Sequence, residues 1–335
     1  MNLHKTNYMT KSKIKIELLP YSIIIALSFL SAVIFYEFPF QDFNGYKGMY
    51  LATPKISNLD FSTFSYFNWN GIYGEFGFTL LNSLFKSLNL EYTQTRFVLI
   101  FVIIMSKLLF FKIFGNDLFY AVPIYFLLIF PDDASLFRAG IASSSIAWAF
   151  LAYYHFKSKY LYFFIISIGA VFHISAILGL ILIFTSKSSQ IKRHYFLTLT
   201  LTLTLFYLLT LDSIYGYLYK KISSNFLEIN DFNFFSGTIA TLLIILLFYY
   251  FNQKRQVLSK NILVQYSLPI ILVGFVSLVT LSFSQILSNR IFGLTYVFVV
   301  ALTASICEVF RPIWVFRIIS VGVLLFGFYI LYFVK

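Results

Sequence analysis

The chain has 335 residues, of which 59% are hydrophobic and 11% charged, and its net charge is +12. An ordinary soluble domain is about one quarter charged, and so few charges cannot coat a globule of this size. The composition excludes a cytosolic enzyme, a nucleic-acid-binding domain and a disordered chain, and leaves a polytopic membrane protein.

The first apolar run covers 18–36, behind Lys5, Lys11, Lys13 and Lys15. It is too long for a signal-peptide core and lacks a small-residue cleavage site, so it reads as a span with the N-terminus inside. Further spans are predicted over 97–114, 117–131, 136–156, 195–211, 237–251, 262–283, 291–308 and 313–334. Two stretches stand apart. Residues 76–90 carry Asn82, Lys86 and Asn89 along an apolar helix, the pattern of an interfacial or re-entrant segment. Residues 160–184 form a long run with His173 in its middle, read as dipping in and returning. The fold class is therefore all-α: a single transmembrane domain over 1–335, with about nine full spans and two partial elements, 9–11 in all.

The positive-inside rule selects this arrangement. It puts 16 of the 25 basic residues on the inner side, Lys107 and Lys112 among them, with only Glu17, Asp117 and Glu308 of the 13 acidic ones. Two long outer loops result, at 37–75 and 212–236. The first holds Asp42, Gly45, Tyr46, Pro54, Trp69 and Gly74. Aromatic faces stack on sugar rings and polar groups bond hydroxyls, so Asp42 and Tyr46 are candidate substrate-binding residues. The alternative is a loop with ordinary interfacial aromatics.

Three arginines fall at predicted outer helix starts: Arg96, Arg138 and Arg290. A helix N-terminus with an adjacent guanidinium suits a phosphate or pyrophosphate, which it can pair bidentately. The alternatives are snorkelling and pairing with Glu91, Asp132 or Asp133. His173 is the one histidine inside an apolar run, and a neutral imidazole there could take a proton from a hydroxyl. It could equally serve as a bonded structural histidine. No metal-ligand spacing surrounds it. Glu75 opens the 76–90 helix, where it could cap that helix, pair with an arginine or accept a sugar hydroxyl. Asp132 and Asp133 lie close enough to Arg138 to orient it, and are counted with the substrate-binding candidates. The single cysteine, Cys307, excludes an internal disulfide and a cysteine-built metal site. No P-loop, GxSxG, HExxH or nucleotide-binding glycine pattern is present. A donor already in the membrane therefore fits better than a cytoplasmic nucleotide.

The order of these features resembles the EpsG family, grouped with the Wzy-type O-antigen polymerases. The resemblance rests on Glu75-Phe76-Gly77-Phe78, on Phe137-Arg138-Ala139-Gly140, on Phe172-His173-Ile174-Ser175-Ala176 and on Asn289-Arg290-Ile291. Phe76 stands where the family pattern has proline, and Ala139 where it has glutamine. The resemblance implies a GT-C-like, metal-independent and cofactor-free glycosyltransferase in the bacterial cytoplasmic membrane. It would join oligosaccharide repeat units carried on undecaprenyl pyrophosphate at the outer face, with His173, Arg138, Arg290 and Glu75 as catalytic candidates. Implied partners are the lipid-linked oligosaccharides, membrane lipid and a chain-length regulator protein, and no nucleic acid. Rival classes are a lipid-linked oligosaccharide flippase, an O-antigen ligase and a membrane O-acyltransferase.

Overall fold

A computed structural model describes residues 18–40, 42–59, 75–180 and 285–310, with isolated positions at 267, 270, 271, 274 and 322. Every regular element among the described residues is helical: α1 (Leu18–Phe35), α2 (Phe43–Ala52), α3 (Phe76–Ser87), α4 (Tyr92–Phe114), α5 (Leu118–Leu128), α6 (Phe130–Ser135), α7 (Phe137–Tyr154), α8 (Lys159–Phe172) and α9 (Gln285–Phe310). Short 3₁₀ turns cover Ile56–Asn58 and Ile174–Leu180. The expected spans at 195–211 and 237–251 and the loop at 212–236 lie outside the described residues, as do 262–283 and 313–334 except for the isolated positions.

Local chemistry sets the boundaries. A capping box, Glu91 with Gln94, starts α4 at Tyr92, several residues before the apolar run begins. Gly115, at φ 98°, ends it, and the Asn116 amide reaches back to the Phe111 carbonyl. Asn89, at φ 56°, closes α3 in the same manner, with Leu90 N–H bonded to the Phe85 carbonyl. Asp117 caps α5 by accepting from the Phe119 amide, and Ser158 caps α8 by accepting from the Leu161 amide.

Tyr92–Phe114 is the one described helix both long and apolar enough to cross a bilayer. The 12-residue α3 is about 18 Å long and cannot cross a core of about 30 Å. The expected span at 117–131 is interrupted: α5 contains Pro123 and stops at Leu128, the chain bends at Ile129, and α6 restarts at Phe130. The run at 160–184 is also broken. Helix α8 ends at Phe172, and His173 is extended at φ −160°.

Helix α7 packs between α4, α8 and α9, while α1 lies along α4 and α3 leans on α8. Rings of Phe110, Phe114, Phe150 and Phe298 fill the space between α4, α7 and α9. Small residues let α7 and α8 approach closely: a Cβ on Gly169 would lie 2.6 Å from Ser145 Cβ. Far from the start of α7, Asn116 donates to the Ala301 carbonyl and Ser305, and Glu308 accepts from the Asp117 amide, tying the α4–α5 turn to α9.

One expectation is corrected. Lys107 belongs to no loop: it lies inside α4, 1% exposed, with Nζ 2.7 Å from Asp133 Oδ2. That leaves 15 basic residues in the inner count. An apolar helix can hold a lysine when a carboxylate meets it, and only the tertiary fold shows that partner.

Candidate active site

Three side chains far apart in sequence converge where α7 begins and α8 ends. Glu75 is at the N-cap position of α3, yet its side chain makes no capping bond. It turns instead to a guanidinium and an imidazole. Arg138 Nη1 donates to Glu75 Oε2, and His173 Nδ1 lies 2.7 Å from Glu75 Oε1. Arg138 is the second residue of α7, in its first turn. His173 reaches Glu75 because α8 stops one residue earlier. The carboxylate and the imidazole are each 12% exposed and the guanidinium 23%, so the cluster is sheltered but open.

Burial opposes ionisation of Glu75, but the hydrogen bond from His173 and the charge of Arg138 outweigh it and hold its pKa down to about 2. Glu75 is thus a fixed carboxylate and a weak base. A carboxylate only accepts, so Nδ1 is the donor, and a neutral imidazole bonded in this way carries its lone pair on Nε2, the arrangement that prepares it to accept a proton.

Tyr46 joins from α2. Its hydroxyl accepts from Arg138 Nε at 3.4 Å, and its ring centroid lies 5.7 Å from the guanidinium carbon. The ring is wedged between Phe78 and Phe137, at 5.4 and 5.2 Å. Asp42 sits one turn earlier, at the N-cap position of α2, and accepts the Tyr46 amide through its backbone carbonyl.

The other predicted residues lie elsewhere. The three arginines are not equivalent: Arg96 is the fifth residue of α4 and Arg290 the sixth of α9, because both helices begin before their apolar runs. The side chain of Arg290 lies outside the described residues. Arg96 is 1% exposed, with its guanidinium carbon 4.6, 5.5 and 5.9 Å from the ring centroids of Phe43, Phe40 and Phe137. Its Nη2 makes a long 3.5 Å contact with the Ala134 carbonyl, and Nε and Nη1 have no hydrogen-bond partner among the described residues. Asp133 does not orient Arg138 through an ion pair. It turns to Lys107 and to the Tyr125 hydroxyl, 2.9 Å away, while Asp132 is exposed on α6. Among the described residues, no group of three or more His, Cys, Asp and Glu side chains could hold a metal ion.

Sequence reasoning missed Gly77. A Cβ there would lie 2.8 Å from the Val171 carbonyl oxygen, so only glycine lets α3 approach α8 closely enough for Glu75 to meet His173. Its signal was its place within the Glu75-Phe76-Gly77-Phe78 string. Tyr125 carried no signal, being one aromatic among 25 tyrosines.

A family model described as the EpsG family matches residues 20–335. No curated protein and no solved structure matches the chain.

Proposed function

This chain belongs to the EpsG family of polymerase-type membrane proteins of polysaccharide biosynthesis, and we propose on that premise that it joins lipid-linked oligosaccharide repeat units. The donor is the growing chain on undecaprenyl pyrophosphate, and the acceptor is a hydroxyl of the incoming unit. The observation that carries this reading is the convergence of Glu75, Arg138 and His173, one from each of three separate sequence blocks.

The step balances with these groups. His173 Nε2 takes the acceptor hydroxyl proton as that oxygen bonds to the anomeric carbon of the donor. The anomeric C–O bond breaks, and the pyrophosphate leaves with the electron pair. Arg138, with Arg290 as a further candidate, stabilises the charge that grows on the leaving group. Glu75 holds the imidazole in the required tautomer. The arginines supply the positive charge, so the mechanism is metal-independent.

Orientation follows from charge. Lys112, Lys157 and Lys159 flank the opposite ends of α4, α7 and α8 from the cluster, and basic residues favour the cytoplasmic side. That supports an outer-facing site in a cytoplasmic membrane and an inner N-terminus. Deletion of the chain followed by gel analysis of surface polysaccharide tests the reading. The expected result is loss of the polymer ladder with single repeat units retained. Loss of every unit would instead indicate a flippase or a ligase.

A further inference from the structure

We propose that the buried Lys107–Asp133 ion pair is a positioning pair that fixes the α6–α7 joint and so aims Arg138 at Glu75. Lys107 Nζ lies 2.5 and 2.7 Å from the two carboxylate oxygens of Asp133, and the Tyr125 hydroxyl donates to Oδ2 at 2.9 Å. A Cβ on Gly140 would lie 3.2 Å from Asp133 Oδ1, so the carboxylate presses against the backbone of α7. One side chain of α6 is therefore held by α4, α5 and α7 together.

The joint needs such a hold. Helix α6 has six residues, far below the length at which a helix keeps its own conformation. The chain leaves it through Leu136 at φ −114° and ψ 66°, and Arg138 follows two residues later. The direction of α6 thus sets where the guanidinium emerges. Arg96 grips the same joint from higher on α4, through the Ala134 carbonyl and the Phe137 ring.

Stability is a poor reason for this pair. Burying two charges has a desolvation cost that apolar side chains of similar volume avoid, and replacing such a pair by them is often neutral or stabilising. What a buried pair does supply is a single geometry, because each charge tolerates no other neighbour. Among the described groups packed around the carboxylate, only Lys107 is cationic, so rotation of α6 would separate the two charges. The functional half of the proposal rests on the reading that Arg138 acts in polymerisation. The geometric half does not.

The two halves are tested separately in full-length protein. In a Cys307→Ser background carrying Glu75→Cys and Arg138→Cys, a short bifunctional thiol reagent reports the approach of α3 to the start of α7. Adding Lys107→Met with Asp133→Leu should slow cross-linking about fivefold or more, at unchanged membrane level and melting temperature. Tyr125→Phe keeps the ring and removes one bond to Asp133, and should slow it by a smaller factor, about two- to fivefold. Unchanged cross-linking in both variants overturns the proposal.

With Glu75, Arg138 and Cys307 native, Lys107→Met with Asp133→Leu should lower kcat on purified lipid-linked repeat units about tenfold and leave KM within about twofold. A purely structural pair would lower the amount of active protein and leave kcat per folded molecule intact. Slower cross-linking with normal turnover would keep the geometric half and overturn the role of Arg138.

Discussion

Gly77→Ala perturbs the site without touching a charged group. The new Cβ would sit 2.8 Å from the Val171 carbonyl oxygen, 2.9 Å from its Cγ1 and 3.0 Å from its carbonyl carbon, against 3.4 Å for the onset of ordinary contact. The carbonyl belongs to α8 backbone and cannot rotate away, so α3 must retreat by about 0.6 Å, the difference between 3.4 and 2.8 Å. Overpacking of this kind costs about 1–3 kcal/mol. The same retreat carries Glu75 from the imidazole two residues beyond Val171 and stretches a 2.7 Å hydrogen bond to about 3.3 Å, where it is weaker and holds the imidazole less firmly. Displacing a catalytic group by about 1 Å can cost about 10²-fold, so a loss of about tenfold in turnover is expected. Gly48→Ala is the control: a Cβ there meets nothing within 4 Å, and alanine in α2 should be neutral or stabilising by up to about 1 kcal/mol. Turnover on lipid-linked repeat units and melting in detergent are measured for both variants. If Gly77→Ala matches Gly48→Ala in both, the close approach of α3 to α8 does not hold the site together.

Arg138→Lys keeps the charge and loses the planar fork, so turnover should fall about 10²-fold at normal protein level; a full polymer ladder would remove Arg138 from the chemistry. His173→Ala and His173→Gln should each lower the rate by about 10²–10⁴-fold, because glutamine bonds to Glu75 but cannot act as a base near neutral pH. Normal polymer from the glutamine variant would leave His173 a structural role only. Glu75 has a lowered pKa, so its contribution to stability is fully present above about 4.5, declines as pH falls below that and is lost as pH passes through about 2. The shift corresponds to about 3 kcal/mol at most. In detergent melts the native protein should therefore exceed Glu75→Gln at pH 7 and converge on it in acid; a gap that persists to pH 2 would show that the carboxylate charge is not what holds the cluster.

Much of the site was legible because its residues break local patterns. Glu75 opens an apolar helix, His173 interrupts one, and Arg138 stands at the start of another. Each is an exception that a membrane segment rarely carries without use. Their meeting was not legible, since it depends on how α3 leans on α8, which Gly77 and Val171 decide at close range. The equivalence of the three arginines failed for a local reason. Apolar runs mark what is buried, whereas a helix starts where its amides are capped, and the Glu91–Gln94 box moved the start of α4 ahead of Arg96. The partner of Lys107 was out of reach because Asp133 lies 26 residues away along a chain that bends at Ile129. Among the expected helices, α4, α7 and α8 begin within a few residues of the predicted places, because their apolar runs are long and because side chains cap the first turns of α4 and α8. The α5–α6 interruption was foreshadowed by Pro123 inside α5 and by Pro131 in the first turn of α6.

The aromatic walls around Arg96 bear on how the molecule responds to salt. Mobile ions weaken the attraction of an exposed lysine for an anion within about 10 Å at ordinary ionic strength, but they cannot enter a space lined by Phe40, Phe43 and Phe137. The Arg96 charge is therefore a permanent local potential beside the start of α7. Anionic head groups approaching that end of the protein meet two kinds of attraction. Salt in the surrounding water screens both on an anion outside, whereas the attraction of Arg96 for its own ring walls, inside the protein, is unchanged as salt is added.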